Sequence, residues 1–284
     1  MSALTRRALL GAALAAGFAR PLAAQPFAKL MASGVLRVAV YRDFEPWSWA
    51  GPEGRYTGID VDLARLIGRA LGLRVEVVDF LADEGVDDDL RNMVWRGSLV
   101  GGQPCDLMMH VPVDRKLQLD NDRAVIFGPY YREGFAMICD RGTTDCEVQP
   151  PQLKGKRLVA ELDSIPDFYL SGSFGGLLRG DVRHVPSGAA AVDAVLKGEA
   201  DAAVATRAQV EHGLKNAPND HSVQRRGPLP ALPSPGWDVG FAVKDDAREL
   251  ADKIEPIIAG LLADGQVAAT FAAYGVSYKA PLSA

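Results

Sequence analysis

The chain has 284 residues, 48% of them hydrophobic and 24% charged, a mean hydropathy near zero and a net charge of −5. That length suits one large or two medium globular domains, and the absence of any low-complexity tract excludes disorder as the default state. The acidic balance excludes nucleic acid as a partner, because phosphate recognition needs clustered Lys and Arg.

Residues 1–24 differ from the rest. Arg6 and Arg7 precede an apolar run over 8–18, and no acidic residue occurs before Asp43. The run is too short to anchor in a bilayer. The small residues after Pro21-Leu22 read as a signal-peptide cleavage site near Ala24. Thr5-Arg6-Arg7 fits the twin-arginine route or the Sec route equally. This segment holds three arginines and no acid, so cleavage takes the charge from −5 to −8. No other stretch reaches the ~18 apolar residues of a span. The mature chain is therefore expected in the periplasm and not embedded in a membrane.

Residues 35–41 are rich in β-branched side chains and predict a buried strand. Gly51-Pro52-Glu53-Gly54 is a turn. Asp60 is expected to cap the next helix, whose Leu63, Leu66, Ile67, Ala70 and Leu71 fall at helical spacing until Gly72 stops it. Strands follow at 73–80 and 106–111, with a short helix at 90–99 between them. Residues 124–139, with Gly128-Pro129 inside, form an extended segment able to carry the chain from one domain into another. The second half predicts a strand at 158–162, helices near 166–170 and 189–196, a strand at 202–205 and a helix at 207–214. Residues 216–236 contain Pro228, Pro230, Pro233 and Pro235 and read as a loop or a second crossover. A strand at 239–243, a helix at 247–262 bent or broken at Pro256, and a short helix within 265–278 complete the chain. This alternation predicts α/β layering.

The three cysteines are Cys105, Cys139 and Cys146. Cys139 and Cys146 can close a small loop in an oxidising compartment or stay reduced, and Cys105 reads as a buried thiol. No metal or other cofactor is expected. The four histidines share no ligand spacing with the cysteines, and Asp87-Asp88-Asp89 and Asp120-Asn121-Asp122 lack the glycine and distal glutamate of a calcium loop.

The order of short motifs resembles the extracellular solute-binding proteins of family 3, the periplasmic binding proteins of type II that serve polar amino acid transporters. The residues carrying the resemblance are Gly34 to Ala39, Pro46-Trp47-Ser48-Trp49, Tyr56 to Ala64, Leu71-Gly72-Leu73, Phe127 to Tyr131, Leu153 to Arg157 and Leu196 to Ala202. The resemblance implies two α/β lobes, each a mixed sheet flanked by helices, joined by a two-strand hinge. Lobe one would comprise residues 27–130 plus 236–284 and lobe two 134–232, crossing near Tyr130 and Pro233. A ligand would lie between them, in a pocket bordered by Trp47 and Ser164, and the lobes would close on it by hinge bending.

In that family an aromatic after the first strand stacks on the ligand. Trp47 matches the position, with Phe44 and Trp49 beside it. Amino-acid binders place Thr-x-x-Arg after a later strand for the ligand carboxylate. Here the segment is His110-Val111-Pro112-Val113-Asp114-Arg115, so Arg115 alone matches and Pro112 replaces the threonine. The aspartate that pairs with the ligand ammonium is replaced by Thr206. The second-lobe anion loop is represented by Asp163 and Ser164, where Ser164 and the following N–H groups would suit an anion that Asp163 opposes. A standard α-amino acid therefore fits poorly.

The resemblance supports a binder of a small polar ligand, working with an ABC permease or alone. An alternative comes from the stretches 105–112 and 129–132, which look like those of J-type accessory proteins of methanol-type quinoprotein dehydrogenases and imply a dehydrogenase partner. A third reading, a periplasmic dehydratase, would need an acid–base group such as His110, Glu161 or Asp163. No spacing among these compels catalysis, and the chain is read as not an enzyme.

Overall fold

The computed structural model describes residues 26–98, 101–217 and 220–282. The expected signal peptide lies outside them. The chain runs α1 (Pro26–Ser33), β1 (Val35–Tyr41), the small hairpin β2 (Trp49–Ala50) and β3 (Tyr56–Thr57), then α2 (Ile59–Leu71) and β4 (Arg74–Phe80). Next come α3 (Val86–Leu90), which continues as one π-helical turn, then β5 (Leu107–Pro112), α4 (Arg115–Asp120) and β6 (Ala124–Glu133). A second unit holds β7 (Phe135–Asp140), β8 (Leu158–Glu161), α5 (Ile165–Gly172), β9 (Val182–Val185), α6 (Gly188–Leu196), β10 (Ala202–Thr206), α7 (Arg207–Lys215) and β11 (Ser222–Gln224). The chain then returns through β12 (Trp237–Lys244), α8 (Arg248–Ala263) and α9 (Gln266–Ala273).

Two five-stranded mixed sheets result, ordered β4-β1-β5-β12-β6 and β11-β7-β10-β8-β9. The first draws strands from both ends of the chain and the second lies wholly between them. Each sheet is covered on both faces. In β10, Ala203 and Ala205 pack with α6 and α7, while Ala202 and Val204 pack with the α5 side, the period-two division of a strand.

β5 breaks that period, and the break matters. Leu107 and Met109 belong to one core and Met108 to the other, yet Val111 joins Met108. The register with β12 slips here, and His110 has φ 61. A β-bulge at His110 thus inserts one residue and re-aims its side chain toward Asp60 on α2.

Asp60 is not the cap of α2. That position belongs to Gly58, at φ 129, where a Cβ would sit 2.2 Å from the Trp47 carbonyl oxygen. Asp60 lies inside the first turn, buried, accepting from Tyr130 Oη at 2.6 Å and bonded to His110 Nδ1 at 3.1 Å. α8 runs through Pro256 without interruption. Pro256 is exposed, so the carbonyl that loses its partner faces water rather than core.

The chain passes between the sheets at Glu133-Gly134-Phe135 and returns between β11 and β12. Trp237 pairs with Glu133 and its ring meets Phe135 at 5.2 Å. A third tie is made by side chains. The segment after α9 lies along the start of α7, where Arg207 Nη1 donates to the Ser277 carbonyl at 3.1 Å and Glu211 accepts from Ser277 N–H at 2.6 Å. His212 bridges the Tyr274 carbonyl at 2.6 Å and Glu45 at 3.0 Å. Cys139 and Cys146 are disulfide-bonded with Cα atoms 5.6 Å apart. Cys105 is a free buried thiol, pushed up to about 12 by burial. Among the described residues no single helix is long and apolar enough to cross a membrane, and no cluster of three or more His, Cys, Asp or Glu residues is arranged to hold a metal ion.

Candidate functional site

Three helices of the second unit begin at one place. Ser164, Ser187 and Thr206 are the N-caps of α5, α6 and α7, accepting from Asp167 N–H at 3.2 Å, Ala190 N–H at 3.1 Å and Gln209 N–H at 3.3 Å. Thr206 and Gln209 form a capping box, since Gln209 Oε1 also accepts from Thr206 N–H at 3.1 Å. Between these ends lies a cavity of about 210 Å³ at the carboxyl ends of β8 and β10, the position where α/β sheets hold ligands. Phe135, at the crossing between the two units, forms one wall.

Glu161, the last residue of β8, supplies the one carboxylate in the lining. Its Oε2 accepts from Gly188 N–H at 2.8 Å, and its backbone carbonyl accepts from Ser164 Oγ at 2.6 Å. Burial raises the carboxyl above the ordinary glutamate value, and the Gly188 N–H offsets part of that. A Cβ at Gly188 would meet Gln209 Oε1 at 2.1 Å, so a larger residue there would displace the Gln209 side chain.

Of the residues singled out from sequence, Ser164 and Thr206, expected as ligand contacts, and Glu161, named as a candidate acid, line this cavity. Asp163 stands beside it, exposed at φ 57, with its N–H on Asp167 Oδ2 at 3.2 Å. The expected pocket bordered by both Trp47 and Ser164 is not formed. Trp47 has 0% exposure, is held edge-on by His110 at 4.4 Å, Tyr131 at 5.2 Å and Phe271 at 5.7 Å, and its Nε1 has no hydrogen-bond partner. A ring with no accessible surface cannot stack on a ligand. Val111 is likewise fully buried in core.

Phe44 is half-buried with its edge against His110 at 4.9 Å, and Trp49 is half-buried between Tyr274 and His212. His110 is buried, with one ring nitrogen committed to Asp60. Arg115 opens the exposed helix α4, whose cap is Asp114, and does not line the cavity. Glu161, Gly188, Gln209 and Phe135 were not read as ligand contacts. The Thr206-x-x-Gln209 capping box was the sequence signal for part of them.

Residues 36–92 match the family model of bacterial extracellular solute-binding proteins, family 3. A 50-residue stretch is 44% identical to cyclohexadienyl dehydratase of Pseudomonas aeruginosa, covering 18% of this chain and 19% of that protein. The chain thus aligns with about a fifth of the curated relative it matches. Among solved structures, an ancestral cationic amino acid solute-binding protein superposes with a TM-score of 0.67 at 20% identity, covering 87% of this chain and 98% of that one. The second substrate-binding domain of GlnP from Lactococcus lactis, in an open conformation, gives 0.60 at 20% identity, covering 85% and 95%. The fold is that of a type 2 periplasmic binding protein.

The paired ends of β6 and β12 carry the chain between the two lobes, and this crossing holds its own buried acid. Glu133 is 2% exposed, and its Oε1 accepts from Gly134 N–H at 2.8 Å. Its Oε2 makes no hydrogen bond. Burial lifts the carboxyl to about 8, against which Gly134 N–H and the Arg207 guanidinium pull only partly. Arg207 itself is held by Tyr131 Oη at 2.6 Å and the Arg132 carbonyl at 3.0 Å. The side chains that join the lobes are therefore packed and charged, unlike a solvated linker.

Proposed function

We propose that this protein is an exported solute-binding protein that captures a small polar ligand where the three helix N-termini of the second lobe face the hinge. The observation that carries the reading is the cavity of about 210 Å³ lined by Glu161, Ser164, Thr206 and Gln209 beside Phe135. Closure of the first lobe over that cavity would exclude water and strengthen each polar contact. The solved neighbours that bind cationic amino acids, arginine or glutamine support capture of a small nitrogen-containing solute. The binder is assigned to the periplasm, delivering to a membrane permease of an ABC transporter or acting alone. The dehydrogenase partner has less to support it, because Cys105, Leu107, Met108, Met109 and Val111 of the stretch that suggested it are buried.

Thermal unfolding of the mature protein against a panel of amino acids, amines, acids and alcohols tests the reading. A ligand at about a hundred times its Kd adds ~2.7 kcal/mol to the folded state, a clear rise in Tm. A panel without any shift sinks it.

A second reading, a dehydratase, is favoured by the 50-residue match to cyclohexadienyl dehydratase. Glu161 would be its acid, since a carboxyl raised by burial is suited to donate a proton. Turnover of a cyclohexadienyl substrate that Glu161→Gln abolishes would establish it, and its absence would leave binding alone.

A further inference from the structure

We propose, resting on the binding reading, that the lobe-two cavity takes a small primary amine, with its ammonium on Glu161 and a short apolar chain against Phe135, Ile165, Pro166 and Val204. Three observations carry this.

The first is the sign of the lining. Glu161 is its one ionisable residue, and no Lys, Arg or His lines the cavity. Asp163 and Asp167 stand in the adjoining turn and add to the same field. A carboxylate entering here has no cation to meet, and Arg115 lies away from the cavity on α4.

The second is that the helix ends are already partly occupied. Converging N-termini ordinarily favour an anion, but here the chain's own groups use the donors. In α5, Pro166 has no N–H and Asp167 N–H is taken by Ser164 Oγ. In α6, Gly188 N–H is taken by Glu161 and Ala190 N–H by Ser187. In α7, Arg207 N–H goes to the Gly134 carbonyl at 2.8 Å and Gln209 N–H to Thr206. Several first-turn donors are thus used by the chain itself, and Glu161 is the anion already placed among them.

The third is size and polarity. At about 210 Å³ the cavity falls below the roughly 300–1,000 Å³ of pockets for drug-sized ligands. Its apolar walls are Phe135, Ile165, Pro166, Val204 and Ala205, and its neutral polar ones Ser164, Thr206 and Gln209. A short alkyl chain fills such walls, and an ammonium takes the one strong acceptor.

The test is isothermal titration of the mature protein with n-butylammonium, n-butyrate and n-butanol, three probes of matched length. Butylammonium should bind and the other two should bind far more weakly. Glu161→Gln keeps an oxygen for Gly188 N–H and should weaken butylammonium about 10- to 100-fold, the loss for one charge-assisted hydrogen bond. Glu161→Asp keeps the charge and should retain part of the affinity. Should Glu161→Gln unfold, Glu161→Asp and the probe ranking still decide. Butyrate binding as well as the amine, or unchanged amine affinity in Glu161→Gln, overturns the proposal and leaves the binding reading standing. Failure of all three probes overturns the proposal, and the binding reading falls only if the wider panel fails too.

Discussion

The two lobes solve the same packing problem with different side chains. The first lobe joins one face of its sheet to α2, α8 and α9 through a large core with Trp47, Tyr130, Tyr131, Phe241 and Phe271 at its centre, and covers the other face with a smaller core around Phe80, Leu90 and Met108. The second divides into two smaller cores, one on each sheet face, built mostly from Ala, Val and Leu, with a disulfide on one side. Large rings bury much area per residue and fix their neighbours. Small side chains let helices sit close to the sheet, which brings three helix N-termini to one cavity. The first lobe thus gathers its large rings at one centre, and the second draws its helix starts together at one cavity.

Breaking that contrast is most direct at Trp47. Trp47→Ala should destabilise the protein by about 3–5 kcal/mol, seen in denaturant unfolding. A loss of ligand affinity without a loss of stability would return Trp47 to the binding surface.

The hinge gives the next effect. The Glu133 carboxyl is raised from an ordinary 4.5 to about 8, so the folded chain holds a proton that the unfolded chain releases. The stability this confers is full below about pH 4.5 and is lost as pH rises through about 8, at up to ~1.4 kcal/mol per pH unit. Glu133→Gln should remove that slope and stabilise the protein in alkali. An unchanged pH–stability curve would show that Glu133 does not titrate with folding.

Replacing both cysteines, Cys139→Ser with Cys146→Ser, frees residues seven apart in sequence and should cost ~2–3 kcal/mol by loop closure. Hydrogen exchange should quicken in the second lobe and not in the first. Equal quickening in both would mean that the cores are one cooperative unit.

The smallest effect belongs to the tie between lobes. Burial pulls His212 down, but Glu45 and the Tyr274 carbonyl outweigh it and raise the group above 6.5. Its contribution is present below the ordinary histidine range and fades as pH rises through the raised value. His212→Gln should therefore cost less than about 1 kcal/mol at acid pH and nothing in alkali, as read by thermal unfolding.

Much of the fold was legible where period and caps agree, as in β1, α2 and the strand–helix units of the second half. β9 and β11 were not. Val182-Arg183-His184-Val185 sits at a sheet edge with its middle two residues exposed, so it has no alternation to read. Pro256 suggested a break that its exposed face does not require. Of the cavity lining, Ser164 and Thr206 were legible as expected contacts. Trp47 stands where an aromatic was expected after β1, but its burial depends on Tyr131 and Phe271, far along the chain. Glu161 was visible as an acid, and only the folded arrangement of α6 shows what its carboxylate does.

The bond set between α7 and the segment after α9 makes the joint more than two strands wide. Arg207, Glu211 and His212 fasten the inner edge of the second lobe along a line, so any swing of that lobe turns about that line as a door about its pin. Thr206 stands next to Arg207 at that line, while Leu162, Ile165 and Phe168 are exposed on the same lobe.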